Sequence, residues 1–140
     1  MSNNDSAAPA APAAAKFTAV QAGKVLRVTI TNPKRKNAID YDTMVALGDT
    51  FRAAAEDRAV RAIVLTGEGG DFCTGADLSA SADEAQRGIT SDMVMDAANR
   101  LVRAIVGAPV PVITSHPGRR GGRRRRHRAG RRPGVRERGL

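Results

Sequence analysis

The run Val60-Arg61-Ala62-Ile63-Val64-Leu65-Thr66 constrains this chain more than any other segment. It is short, rich in β-branched residues and almost free of polar alternation, which suits a strand in a sheet covered on both faces. It feeds directly into a loop, residues 67–75, that holds four glycines. With the helical segments on either side of it, described next, this strand makes an α/β pattern.

The neighbouring segments agree. Phe17, Ala19 and Gln21 alternate with Thr18, Val20 and Ala22, and residues 25–30 (Val-Leu-Arg-Val-Thr-Ile) form a β-branched strand. Ala22-Gly23-Lys24 between them reads as a hairpin turn. Asn32-Pro33 ends the second strand, because proline lacks the ladder donor and holds its predecessor extended. Asp40 is a suitable N-cap for a helix to about Asp57, with Met44, Leu47, Gly48, Phe51 and Ala55 on one face. A second helix is predicted from Asp92 to Val106, capped by Ser91, with Val94, Ala97, Ala98, Leu101, Val102 and Ile105 inward. Residues 109–114 then begin another extended segment, and the order becomes β-β-α-β-loop-α-β.

Charge divides the chain. Residues 1–114 carry 12 Lys+Arg against 13 Asp+Glu, a net charge of −1. Residues 115–140 carry 11 Arg against Glu137 alone, a net +10, so the chain's +9 describes this tail and not the body. Residues 1–15 are Ala- and Pro-rich without large apolar side chains and read as a disordered leader, not a secretory signal. Residues 16–114 are the folding unit, and 115–140 an Arg-rich tail that reads as disordered. No apolar run approaches the ~20 residues of a membrane span. Cys73 is the only cysteine, so no internal disulfide forms and a cytoplasmic location is expected.

Glycines let a backbone turn into positive φ and let a ligand approach main-chain N–H groups. An N–H at such a turn can stabilise a developing oxyanion; removing one such donor costs roughly 10²–10³-fold in rate in a characterised protease. Composition alone favours a plain surface connection. A nucleotide P-loop is excluded, since no Gly-Lys-Ser/Thr follows.

Four segments in order carry a resemblance. Asn32-Pro33-Lys34-Arg35-Lys36-Asn37-Ala38-Ile39 resembles a P-x-x-x-N-A-[LIM] motif, and residues 61–67 resemble the strand ending in T-G that follows it. Phe72-Cys73-Thr74-Gly75-Ala76-Asp77-Leu78 resembles F-[SCA]-[AT]-G-A-D-[LI], and residues 108–113 a later P-x-P-V-I strand. Together these resemble the front portion of the crotonase (enoyl-CoA hydratase/isomerase) family. The resemblance implies an incomplete crotonase-like spiral of ββα units acting on an acyl-CoA thioester, with coenzyme A part of the substrate and no separate cofactor. It implies that the Ala76 backbone N–H is one of two oxyanion donors, and that Lys34, Arg35, Lys36, Ala38, Gly75, Asp77 and Leu78 contribute to substrate binding. The basic turn also reads as an ordinary solvated one. Asp77 is expected to brace the loop rather than transfer protons, and Cys73 sits where Ser, Ala or Cys are interchangeable. Homo-oligomers are implied too, assembled largely through the later half of family members.

After Thr114 such a protein should continue into an Ala/Gly-rich segment with the second donor and, in hydratases, a catalytic glutamate. The arginine-rich tail stands there instead, and no general acid or base is identifiable. Three readings compete. The tail is a polybasic binder of nucleic acid or anionic surfaces, without aromatics for base stacking. Alternatively, His116 and His127 hold a metal, although no acidic or Cys partner lies at ligand spacing. The third reading is a shifted reading frame: with CGN arginine codons, His116, Pro117, Ala129, Pro133 and Val135 all permit family-like residues. Even then the codon at Arg126 preceding His127 gives Ala, Gly, Val or Asp, never Glu. Glu137 matches no family catalytic position.

Overall fold

The computed structural model describes residues 15–116. The leader reading, and the tail readings that concern His127, Glu137 and the arginine run, lie outside the described residues.

Strands β1 (Phe17–Ala22) and β2 (Val25–Ile30) form the antiparallel hairpin, turning at Gly23 with φ +60°. Helix α1 (Tyr41–Glu56) then crosses to β3 (Ala62–Gly67), which pairs parallel to β2. A short helix α2 (Ser81–Gln86) and a long helix α3 (Ser91–Val106) follow before β4 (Val112–Ser115), parallel to β3. The sheet order is β1-β2-β3-β4. The two parallel pairings need the crossover helices that the sequence pattern supplies.

The core joins Leu26, Val28 and Ile30 of β2 and Ile63 and Leu65 of β3 to Met44, Leu47 and Phe51 of α1. Ala97 and Leu101 of α3 pack into the same cluster. Asp40 caps α1 as predicted, its Oδ1 accepting the Thr43 N–H at 2.9 Å.

Several boundaries differ from the sequence pattern. Ala54, not Ala55, is buried near the end of α1, because it lies seven residues, almost two full turns, beyond Leu47 at the middle of the buried face. Val60 is buried but precedes β3, in the turn where its N–H donates to Asp57 O. Thr90, not Ser91, caps α3, its hydroxyl accepting the Met93 N–H at 3.2 Å. Val102, expected inward, is 57% exposed. Helix α2 has no counterpart in the sequence reading. Among the described residues no helix is long and apolar enough to cross a membrane.

Candidate functional site

Two segments far apart in sequence interlock beyond the ends of β2 and β3. The first is the turn of residues 32–39, where Lys36 and Asn37 both adopt left-handed backbone, φ +51° and +58°. The second is the glycine loop of residues 67–77. The Asn37 side chain joins them. Its Oδ1 accepts the Asn32 N–H at 2.9 Å, and its Nδ2 donates to Glu68 O at 2.9 Å and Asp71 O at 2.7 Å. Asn37 is fully buried, so these bonds replace water completely. Gly67 is the other fixed point. A Cβ there would collide with the backbone oxygens of Asp71 and Phe72 and with Asn37 Nδ2, so the loop closes only over glycine.

The far end of the loop is held by a short parallel bridge between Ile39 and Ala76. Ile39 N–H donates to Gly75 O at 2.9 Å, and Asp77 N–H donates to Ile39 O at 2.8 Å. In a parallel bridge these two bonds leave the Ala76 N–H pointing away from the partner strand. It makes no hydrogen bond among the described residues. Gly75, at φ +107°, supplies the turn that puts it there.

Asp77 is buried and its carboxylate is fully engaged. Oδ1 accepts the Ser79 hydroxyl at 2.6 Å and the Ser79 N–H at 3.0 Å. Oδ2 faces Asn32 Nδ2 at 3.4 Å and Lys16 Nζ at 3.9 Å. The Ser79 hydroxyl, above all, holds this carboxyl below the usual range despite its burial. Lys16 also pairs with Asp40 at 3.0 Å. Burial alone would raise the Asp40 pKa, but hydrogen bonds from Thr43 and Lys16 outweigh it and lower the value.

Ala76 and Asp77 open onto a cleft of about 310 Å³, walled by Ile39, Tyr41 and Met44 on one side and by Leu78, Glu84 and Ile89 on another, with Val94 and Met95 of α3 completing it. Leu78 is 83% exposed at the rim. Lys34, Arg35 and Lys36 are exposed on the turn, and the Arg35 and Lys36 carbonyls accept the Thr74 hydroxyl at 3.4 and 3.3 Å. Ala38 is buried behind them. Ala76, Asp77 and Leu78 therefore meet at the cleft, with Gly75 the turn before them, whereas the three basic residues stand exposed on the turn of residues 32–39. Cys73 is half-buried, and His116 rests against the Phe72 ring, with centroids 4.6 Å apart.

Sequence reasoning passed over Asn37, Gly67 and Glu84 as site residues. The first two carried a signal, an Asn and a Gly inside matched motifs. Glu84 lies in a polar stretch with no pattern to mark it.

Comparison with known proteins defines the class. The family model for enoyl-CoA hydratase/isomerase matches residues 21–122. "Probable enoyl-CoA hydratase echA6" of Mycobacterium tuberculosis is 39% identical over 96 residues, covering 66% of this chain and 35% of that protein. "Probable enoyl-CoA hydratase 1, peroxisomal" of Arabidopsis thaliana is 33% identical over 91 residues, covering 63% and 34%. An enoyl-CoA hydratase crystal structure from Mycobacterium avium subsp. paratuberculosis superimposes with a TM-score of 0.63 at 30% identity, over 74% of this chain and 39% of that one. The Pseudomonas aeruginosa protein PA4980 gives 0.66 at 29% identity, over 75% and 45%. The chain belongs to the enoyl-CoA hydratase/isomerase family. It spans about a third of the length of the curated relatives it matches.

Proposed function

We propose that the chain binds the thioester of an acyl-CoA in this cleft, with the carbonyl oxygen on the Ala76 N–H and the acyl chain toward Met44, Val94 and Met95. One observation carries the reading: a main-chain N–H, unpaired and held by a bridge and a positive-φ glycine, stands at the rim of a largely apolar cleft. Such a donor acts on charge developing on the thioester oxygen, an enolate-like state, more strongly than on the neutral carbonyl. Lys34 and Lys36, as point charges, and Arg35, as a planar fork of donors, meet coenzyme A phosphates, and no cofactor beyond that coenzyme is called for.

The reading includes weak catalysis. Residues 115–140 hold arginines where the family resemblance calls for a second donor, and half an oxyanion hole gives a small transition-state advantage. The test is titration of butyryl-CoA into the 140-residue chain by calorimetry, beside an assay of crotonyl-CoA hydration. Binding without robust turnover is expected. Ala76→Pro deletes the N–H in question, and binding should weaken on the order of tenfold, the equivalent of one hydrogen bond. Equal affinity in both proteins would defeat the donor assignment.

The eleven arginines of the tail favour a second reading, a polybasic holder of nucleic acid. Affinity for a random-sequence duplex should then fall steeply with salt and vanish on removal of residues 115–140. Binding that survives the deletion would place it elsewhere.

A further inference from the structure

Two carboxylates are buried among the described residues, Asp77 and Glu84, and both line the cleft. They differ in what they have left to offer. Both oxygens of Asp77 are taken by Ser79, Asn32 and Lys16. Glu84, on α2, is 8% exposed and commits one oxygen: Oε1 accepts the Tyr41 N–H at 2.8 Å, at the first turn of α1. Its Oε2 takes no hydrogen bond or ion pair among the described residues. No buried side-chain oxygen is left unpaired among them, so Oε2 is the part of Glu84 that reaches open space. Glu84 is one of the residues that line the cleft.

The same backbone segment positions this carboxylate and the Ala76 donor. Ile39 pairs with Ala76, and Tyr41, two residues on, holds Glu84. Ala76 and Glu84 line the same cleft of about 310 Å³, so a substrate seated in it faces both. Anchoring through Oε1 fixes the carboxylate's orientation, which is what a proton-transfer group needs and a solvated surface glutamate lacks.

We propose that Glu84 is the proton-transfer group of this site, acting on the carbon next to the thioester carbonyl. The inference rests on the acyl-CoA reading above. With the carbonyl oxygen on the Ala76 N–H, Oε2 takes a proton from Cα. The C–H electron pair moves into the enolate, whose charge gathers on the oxygen at Ala76. The Glu84 acid exchanges its proton with water and returns one to Cα, so nothing is oxidised or reduced. In D₂O the net result is replacement of α-hydrogen by deuterium.

The experiment follows deuterium entry at Cα of butyryl-CoA by mass spectrometry with the full 140-residue chain and with Glu84→Gln, beside calorimetric binding for both. Glutamine keeps an oxygen for the Tyr41 N–H, so the tie between α2 and α1 survives while the base is lost. The expected result is unchanged binding and an exchange rate lower on the order of 10²–10⁴-fold, the usual contribution of a positioned base. Equal exchange in both proteins, or none above the buffer rate in a chain that binds butyryl-CoA, overturns the role of Glu84 and leaves the acyl-CoA reading standing. Failure of the unaltered chain to bind overturns both. Should Glu84→Gln not fold, carbodiimide labelling of the unaltered chain decides. Bound butyryl-CoA must shield Glu84 while exposed Glu56 still labels, and equal labelling of Glu84 with and without butyryl-CoA overturns the proposal.

Discussion

The two walls of the cleft are built on opposite principles. The wall made by the turn of residues 32–39 and the glycine loop is held by buried backbone and amide groups: Asn37 bonds three main-chain atoms, Gly67 leaves no room for a side chain, and Ile39 bridges to Ala76. The opposite wall is α2, whose one buried side chain is Glu84. That helix is tied to α1 by the Tyr41–Glu84 hydrogen bond and by Arg87 at its end, whose two terminal guanidinium nitrogens donate to Asp42 at 2.8 and 2.9 Å. Buried, fully satisfied polar networks fix one geometry, whereas exposed ion pairs contribute little and are screened by salt. The Ala76 N–H sits on the rigid wall, and on the other wall Glu84 is the one buried side chain, oriented by its hydrogen bond from the Tyr41 N–H. Leu78, 83% exposed, and Ile89 line the cleft beside α2.

The larger effect belongs to the rigid wall. Asn37→Ala removes the partners of the Asn32 N–H and of the Glu68 and Asp71 carbonyls, and puts alanine at φ +58°. A loss of about 2–4 kcal/mol is expected, given that one stranded buried polar group costs about 1–3. Urea denaturation measures it. Asn37→Gly relieves the backbone but not the hydrogen bonds, so it should recover only the strain. If glycine restored full stability, the amide network would not be what holds the loop, and the contrast between the walls would collapse.

What was legible in the sequence follows the same division. Ala62-Ile63-Val64-Leu65 reads as a strand because apolar residues are spaced for it, and Asp40 caps α1 because a carboxylate three residues before an N–H is a local relation. Gly75 and Asp77 were legible through the motif that contains them. Helix α2 was not. Ser81-Ala82-Asp83-Glu84-Ala85-Gln86 has no apolar period, since its helix is held by polar ties to Tyr41 and Asp42, 43 and 45 residues away. Nothing local to Glu84 announces that it will be buried. Val102 failed differently: its place in the apolar period of α3 is real, but a period gives the width of a face and not the neighbours that cover it. In the described residues Ala97 and Leu101 meet the core, while Val102 and Val106 face outward.

The smallest effect, and the sharpest probe of the α2 wall, is expected at Arg87. Asp42, through both its hydrogen bonds and its charge, raises the Arg87 pKa further above its already high value, with Asp83 adding to it. The guanidinium nevertheless remains cationic under any ordinary condition with or without these partners, and the pair is open to solvent. Arg87→Ala should therefore leave the urea midpoint of the chain unchanged within error. Its effect should be local. Amide hydrogen exchange across residues 81–88 is expected to quicken, and to quicken in the unaltered chain as well when salt rises, while residues 32–39 and 67–77 keep their protection. Equal acceleration in all three segments would mean that the walls open as one unit, and that α2 is as much part of the scaffold as the loop that carries Ala76.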